Sequence, residues 1–247
     1  MTKKIKNVSV IILAAGDSRR MRLENKKSKI FMNVCEKPCL FYSLNEFRKC
    51  VYTKEIIIVC KEEHKQLVEE IINKNDDITY KVVKGGKTRQ ESVFNGFEST
   101  GNTDYLVIHD AARCLITEDL INKVIISAMQ NDSCAVLGVP VKDTIKVIET
   151  VEGKNTVKYT ADRDFLWQIQ TPQVLRKDLY AFCVSEAIKE NKVFTDDSQL
   201  IENYSKSKIS VIMGDYDNFK LTTKEDVFLA ESVLKRRANA EGLKKNE

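Results

Sequence analysis

The chain has 247 residues, of which 43% are hydrophobic, and its 40 basic and 36 acidic residues give a net charge of +4. This length is enough to bury the core of one large α/β domain, and the nearly balanced charge lacks the basic excess typical of nucleic-acid-binding proteins. Two histidines and seven cysteines without a C-x-x-C pair argue against a histidine-rich metal site, a Ser-His-Asp hydrolase, a zinc ribbon and a disulfide framework.

Nothing in the sequence predicts secretion or a membrane span. The opening residues MTKKIKN lead directly into a short apolar run, without the longer apolar segment of a signal peptide. No apolar run approaches the roughly 20 residues needed to cross a bilayer. We therefore expect a cytoplasmic protein with reduced cysteines and with neither a membrane nor a nucleic acid as its partner.

Apolar, β-branched runs alternate with amphipathic stretches along the chain. Strands are predicted at 8–13, 55–60, 78–83, 104–110, 134–141 and 209–214. Helices are predicted at about 39–50, 63–74, 88–99, 117–130, 176–190 and 223–238. Such alternation favours an α/β fold of the Rossmann-like kind, a mostly parallel sheet with helices on both faces. Ligands of these sheets bind at the carboxyl ends of the strands.

One segment departs from this alternation. Residues 145–161 read as two short strands around the turn Glu152-Gly153-Lys154-Asn155, which predicts a protruding β-hairpin arm. Since an isolated hairpin is barely stable in water, we expect the arm to pack against a second copy of the chain, with folding back onto its own domain as the alternative. The predicted organisation is a single domain over 1–240, the dimerisation arm at 145–161 and a flexible tail at 241–247.

The first predicted strand ends in a loop suited to phosphate. Small residues there let backbone N–H groups approach phosphate oxygens, and the basic residues that follow neutralise charge. The residues concerned are Ala14, Ala15, Gly16, Arg19, Arg20, Lys26, Lys27 and Lys29. The loop lacks the G-x-G-x-x-G pattern of dinucleotide binding, and GGKT at 85–88 is not a Walker A loop because Lys81 stands at its leading glycine position. An ordinary strand-to-helix turn remains an equally weighted interpretation of the loop by itself.

Two further clusters follow predicted strands. Asp110 ends a strand, where a carboxylate could hold a Mg²⁺ ion that bridges triphosphate oxygens, or could simply cap the next helix and pair with Arg113. Gly85 and Gly86 open a helix and would let a base or ribose lie against the backbone, with the Ser92 hydroxyl at its polar edge. A simple turn is the alternative for these glycines.

Taken together, the motifs resemble the 2-C-methyl-D-erythritol 4-phosphate cytidylyltransferase family of non-mevalonate isoprenoid synthesis. The matching segments, in order over residues 8 to 230, are LAAGDSRRM, GGKTRQESV, HDAAR, VKDTIK, ADRDFLWQIQTPQ, TDDSQLIE and DNFKLTTKED. The resemblance implies a nucleotidyltransferase-type fold, a homodimer and transfer of a cytidylyl group from CTP to the sugar-alcohol phosphate 2-C-methyl-D-erythritol 4-phosphate, with release of pyrophosphate and with Mg²⁺. Such chemistry needs positioning and charge neutralisation rather than acid and base groups, because a phosphate nucleophile is already ionised.

The resemblance also assigns roles residue by residue. Catalytic roles fall to Arg20, Lys29, Arg163 and Lys220, of which Arg20 and Lys29 would stabilise charge on the α-phosphate. CTP contacts fall to Ala14, Ala15, Gly16, Ser18, Gly85, Gly86, Arg89, Ser92 and Ala111. Substrate contacts fall to Arg113, Thr144, Arg163, Thr171 and Lys220, and the metal contact to Asp110. In the family the arm crosses to the neighbouring subunit, so Thr144 and Arg163 would act there.

Three departures from the family pattern and two alternatives stand beside this interpretation. Ser18 replaces a frequent glycine, Cys114 replaces a usual proline, and the lysine-rich run leaves Lys27 as an alternative to Lys29. A ribitol 5-phosphate cytidylyltransferase of the teichoic-acid type would share the fold and chemistry, although LAAG, HDAAR and DTIK favour the methylerythritol enzyme. A CTP-binding regulator without turnover is the second alternative.

Overall fold

The computed structural model describes residues 6–16, 28–72 and 77–244 of the chain, with the side chains of the last four of these left aside. The strands in chain order are β1 Val8–Leu13, β2 Asn33–Val34, β3 Lys37–Pro38, β4 Thr53–Cys60, β5 Thr79–Lys84, β6 Tyr105–Asp110, β7 Cys134–Pro140, β8 Lys146–Val151, β9 Lys154–Thr160, β10 Trp167–Arg176 and β11 Ile209–Met213. The helices are α1 Cys39–Lys49, α2 Lys65–Ile71, α3 Arg89–Glu98, α4 Glu118–Gln130, α5 Lys177–Lys189, α6 Asp197–Tyr204 and α7 Glu225–Lys244.

Seven strands form the central sheet, in the order β11-β7-β10-β6-β1-β4-β5. The pairs from β6 through β1 and β4 to β5 are parallel, as is β11 with β7. Strand β10 runs antiparallel between β6 and β7. The predicted mostly parallel α/β sheet is therefore confirmed, and β10 is the strand of this sheet that the sequence pattern missed.

The sheet is buried because its central strands carry apolar side chains on both faces. Val10 and Ile12 pack into one cluster with helices α1 and α4, whereas Ile11 faces the opposite cluster, which contains Val93 of α3 and Tyr180 of α5. Runs that are apolar on both faces are typical of parallel strands covered by helices. The central strand β1 pairs in parallel with β6 throughout and with β4, where the register shifts between Val8 and Ser9.

The predicted hairpin is present as a separate two-stranded antiparallel sheet of β8 and β9. Its turn contains Glu152 at φ +50° and Gly153 at φ +75°, left-handed conformations that match the predicted turn. Apart from Val147, the residues of β8 and β9 are exposed. The arm thus projects from the chain without a core of its own.

Helix α7 runs to Lys244, beyond residue 240 where we predicted the domain to end. The last three residues lie outside the described part of the chain, so the predicted boundaries and tail stay predictions. Within residues 6–16, 28–72 and 77–244, no helix combines the length and apolar character required to traverse a bilayer.

Candidate active site

The loops that follow the parallel strands β1, β5 and β6 meet at one edge of the sheet. Beyond β1, the Ala14 N–H donates to the carbonyl of Val59 at 2.7 Å, and beyond β6 the Ala111 N–H donates to Leu13 at 3.1 Å. Beyond β5, the Gly85 N–H donates to Cys60 at 2.8 Å. These bonds continue the sheet for one residue and bring the predicted phosphate loop, the double-glycine loop and Asp110 to the same edge.

The hydrogen bonds of the loop after β1 show which of its backbone N–H groups can bind phosphate. The N–H of Ala14 is occupied by a sheet hydrogen bond, and the side chain of Ala14 is buried. Ala111 is likewise buried, with its N–H bonded to the neighbouring strand. Ala15 and Gly16 therefore remain the phosphate-donor candidates in the described part of this loop, while Ala14 and Ala111 shape its base.

The double-glycine loop packs tightly against this first loop. A Cβ atom built on Gly85 would lie 2.5 Å from the Cβ of Ala15, so a larger residue does not fit there. The Ser92 hydroxyl accepts the N–H of Gly86 at 3.1 Å and donates to the carbonyl of Thr88 at 2.9 Å. The Ser92 hydroxyl thus stabilises the loop, and its predicted contact with a bound base stays a prediction.

Asp110, the last residue of β6, is the centre of a charge cluster. Its Oδ2 lies 2.6 Å from Nζ of Lys220, and its Oδ1 lies 3.4 Å from Nε of Arg89. Burial would raise the pKa of Asp110, but the positive charges of Arg89 and Lys220 outweigh it and hold this pKa well below its usual range. The carboxylate is therefore ionised and paired at neutral pH.

One of the predicted residues, Thr171 of strand β10, contacts Asp110 directly. The Asp110 N–H donates to the Thr171 hydroxyl at 3.0 Å, and that hydroxyl lies 3.1 Å from Nδ1 of His109. Thr171 is buried, so its observed contacts fix the end of β6 rather than face an open cleft. Burial lowers the pKa of His109 to about 3, which keeps its imidazole neutral.

Arg113 is held by the loop that carries Lys220. Its Nη1 donates to the carbonyl of Asn218 at 2.8 Å. The amide nitrogen of Asn218 donates in turn to the carbonyl of Thr171 at 3.0 Å.

Lys29 contacts the same loop, because its Nζ donates to the carbonyl of Leu221 at 2.6 Å. Four chain segments that are far apart in sequence thus converge around Asp110.

The remaining predicted residues lie at the base of the arm or outside the described part of the chain. Thr144 and Arg163 are exposed at the base of the arm, where Nη1 of Arg163 donates to the carbonyl of Lys142 at 2.9 Å. Ser18, Arg20 and the alternative lysine Lys27 lie outside the described residues. The structure thus joins Lys29, Arg89, Asp110, Arg113, Thr171 and Lys220, whereas Thr144 and Arg163 lie at the base of the arm.

Two residues of this cluster were not predicted. Asp197, at the start of α6, lies 2.7 Å from Nη2 of Arg89 through its Oδ2, and Asn218 is fully buried beside Arg113. Both belong to polar motifs, TDD and DNFK, that resemble turns and helix caps when read singly. Their partners are distant in sequence, so only the fold reveals their contacts.

Asp110 is also the predicted metal ligand. Over the described ranges, which omit 17–27 and 73–76, no three His, Cys, Asp or Glu side chains are grouped to hold a metal ion. Mg²⁺ commonly takes one or two protein carboxylates and completes its coordination with substrate phosphates and water. An ionised carboxylate is the kind of group that Mg²⁺ binds, so Asp110 fits the predicted metal.

A mostly parallel sheet whose loop edge gathers arginine and lysine side chains around one aspartate defines a nucleotidyltransferase-type protein. The family model described as 2-C-methyl-D-erythritol 4-phosphate cytidylyltransferase matches residues 8–236. The chain belongs to this family, which confirms the resemblance seen in its motifs.

Similar proteins agree along nearly the whole chain. A 2-C-methyl-D-erythritol 4-phosphate cytidylyltransferase of Caldanaerobacter subterraneus subsp. tengcongensis is 40% identical over 93% of this chain and 100% of its own length. One from Clostridioides difficile is 39% identical over 92% and 93% of the two chains. The crystal structure of 4-diphosphocytidyl-2C-methyl-D-erythritol synthase from Anaerococcus prevotii superposes with a TM-score of 0.81 at 29% identity, covering 93% of this chain and 99% of that one.

Proposed function

We propose that the protein transfers the cytidylyl group of CTP to the phosphate of 2-C-methyl-D-erythritol 4-phosphate. The observation that carries the proposal is the gathering of Arg89, Arg113 and Lys220 around Asp110 at the loop edge of a chain that matches this family from residue 8 to 236. Such an arrangement can neutralise a triphosphate and an acceptor phosphate at once.

The chemistry is a displacement at the α-phosphorus of CTP. An oxygen of the acceptor phosphate forms a bond to this phosphorus, the bond to the bridging oxygen of the β-phosphate breaks, and pyrophosphate leaves. No proton has to be removed from an ionised phosphate, so a general base is not required. The buried, neutral His109 is consistent with this reaction, because it can serve the fold without titrating at neutral pH.

The side chains divide between the two substrates in this proposal. Arg20 and Lys29 stabilise charge on the α-phosphate, as the family resemblance implies, and the loops at Ala15, Gly16 and Gly85 bind CTP. Lys220, which lies beside Asp110, and Arg163 position the acceptor phosphate. The remaining assigned contacts are those of Ser18, Gly86, Arg89 and Ser92 to CTP and of Arg113 and Thr144 to the acceptor, whereas Ala14, Ala111 and Thr171 shape the base of the site.

Asp110 would hold Mg²⁺ together with the triphosphate oxygens. The ion supplies charge neutralisation at the phosphates that become the leaving group. Lys220, which pairs with Asp110 in the structure, would exchange this carboxylate for the acceptor phosphate when the substrates bind. The 2.6 Å contact between the two side chains supports this exchange, because it places the lysine at the edge where both phosphates meet.

A homodimer built through the arm completes the proposal. Ile148, Val157 and Tyr159 are exposed on the hairpin, and Val157 keeps 58% of its surface accessible. A two-stranded hairpin with exposed apolar side chains gains stability by packing on another surface. Because Arg163 lies at the base of the same arm, the proposed dimer would let it act in the neighbouring subunit.

The test is pyrophosphate release from CTP and Mg²⁺ with the purified protein and either acceptor. Release with methylerythritol 4-phosphate alone supports the proposal, whereas release with ribitol 5-phosphate alone would move the activity to cell-wall polyol activation. The relatives named above carry the methylerythritol name, which favours the first outcome. CTP binding without release in either case would identify a regulator that has lost turnover.

A further inference from the structure

Asp197 is a buried carboxylate outside the contacts assigned above. It is the first residue of α6, it keeps only 3% of its surface exposed, and its Oδ2 lies 2.7 Å from Nη2 of Arg89. Burying a carboxylate is costly: burial raises the pKa of Asp197, and the nearby Arg89 guanidinium offsets only part of this effect. This buried ion pair adjoins the double-glycine loop that is proposed to bind CTP, so it is placed to influence nucleotide binding.

The position of Asp197 is fixed by its surroundings. The side chain of Asp196 caps α6 by accepting the N–H groups of Ser198 and Gln199 at 2.9 and 3.2 Å. Gln173 of β10 donates to Asp196 at 2.6 Å and accepts the Ser198 N–H at 3.0 Å. These bonds join the start of α6 to the central sheet, so the carboxylate of Asp197 is presented from a rigid element.

Arg89 connects this rigid element to the site. It is the first residue of α3, directly after the double-glycine loop, and its Nε lies 3.4 Å from Oδ1 of Asp110. One guanidinium therefore spans two carboxylates, and its contact with Asp197 is the shorter. Because a guanidinium is planar, fixing one of its edges fixes the direction of the other donors.

We propose that Asp197 is a positioning residue for the CTP site. It holds Arg89 so that the double-glycine loop and Asp110 keep the spacing that the nucleotide requires. Without the negative charge of Asp197, Arg89 would be drawn to Asp110 alone, and it would compete with Lys220 and with the cation that accompanies CTP. The inference rests on the proposed function, because it assigns the nucleotide half of that site.

The first test compares Asp197→Asn with wild type. The substitution keeps the size of the side chain and removes its charge. We expect the KM for CTP and the dissociation constant of CTP to rise about 10- to 100-fold, as for other residues that orient a binding group, and the KM for the acceptor to change little. Calorimetry with CTP and Mg²⁺ gives the dissociation constant, and pyrophosphate release gives the two KM values.

Asp178→Asn is the matched control. Asp178 lies 2.6 Å from Nε of Arg176, a similar pair at the surface of α5, where the aspartate side chain is 71% exposed. This variant should bind CTP like wild type. An Asp197→Asn protein that melts at lower temperature but binds CTP with wild-type affinity would overturn the proposal, since a merely structural role predicts that result.

A double variant separates positioning from a general weakening of the fold. If Asp197 acts through Arg89, adding Asp197→Asn to Arg89→Gln should raise the dissociation constant of CTP little further, whereas independent losses would multiply. If Asp197→Asn does not fold, Arg89→Lys answers the same question, because it keeps the charge but cannot span both carboxylates. Unchanged CTP affinity in Arg89→Lys would refute the inference.

Failure of the proposed function has a different signature. A wild-type protein that binds CTP but transfers nothing to methylerythritol 4-phosphate would contradict the proposed reaction. The comparison of CTP affinity between Asp197→Asn and Asp178→Asn would still decide the role of Asp197.

Discussion

Gly85→Ala tests whether the two loops at the sheet edge form one nucleotide site. The added Cβ would lie 2.5 Å from the Cβ of Ala15 and 3.2 Å from the Ser92 hydroxyl. Carbon atoms do not approach this closely, so one loop must move by roughly 1 Å, and overpacking of this kind costs about 1–3 kcal/mol. Since Ala15 belongs to the candidate phosphate loop, the displacement falls on the residues proposed to bind CTP.

We expect the KM for CTP to rise about 5- to 30-fold in Gly85→Ala, which corresponds to 1–2 kcal/mol of lost binding. The acceptor KM should stay near its wild-type value. The assay is pyrophosphate release at saturating acceptor and varied CTP, with a thermal melt of the same sample to show that the protein is folded.

Gly96→Ala provides the control for crowding alone. Gly96 lies on α3, and a Cβ there would come within 2.6 Å of Cγ2 of Ile11 in the core. This variant should lose stability while its folded fraction keeps the wild-type KM for CTP. A wild-type KM in Gly85→Ala, or an equal rise of KM in both variants, would refute a nucleotide site between the two loops.

Three further predictions follow from the arm and the buried histidine. Arg163→Ala should raise the KM for the acceptor and leave CTP affinity unchanged, as measured by pyrophosphate release and calorimetry; a parallel loss of CTP affinity would contradict its assignment. Val157→Asp should lower the molar mass seen by light scattering from that of a dimer to that of a monomer, and an unchanged mass would argue against the arm as the interface. Burial lowers the pKa of His109 to about 3, so the unfolded chain, in which histidine titrates near 6.5, binds this proton first as the pH falls. Stability should therefore decrease by up to about 1.4 kcal/mol per pH unit between about pH 6 and 4, and His109→Gln should flatten this slope in urea unfolding; an equally steep slope in the variant would show that other groups cause it.

The sequence predicted the elements whose patterns are local. VSVIIL of β1 and the apolar spacing of α4 identify a buried strand and an amphipathic helix without knowledge of their neighbours. Strand β10 was missed because its buried residues include Gln170 and Gln173, polar groups that a sequence pattern assigns to a loop. Their hydrogen bonds to Asp215 and Asp196 come from other parts of the fold.

In the candidate site, too, local features were predicted from the sequence and long-range contacts were not. Asp110 was predicted from its place at a strand end, but its pairing with Lys220 joins residues 110 positions apart. Helix α6 has only eight residues, and its cap resembles a turn, so Asp197 gave no separate signal. Residue types can therefore be predicted from motifs, whereas the partners that set their charge and direction require the folded chain.

The charge cluster also predicts which group titrates during the reaction. Arg89 and Lys220 hold the pKa of Asp110 well below its usual range, and His109 stays neutral until about pH 3, so neither changes charge between pH 5 and 8. The second ionisation of a phosphate monoester falls near pH 6. We therefore expect the rate to drop below about pH 6 because the acceptor phosphate gains a proton, and His109→Gln should leave the midpoint of this limb in place. A midpoint that moves in His109→Gln would instead place the titrating group in the protein and would refute a mechanism without a general base.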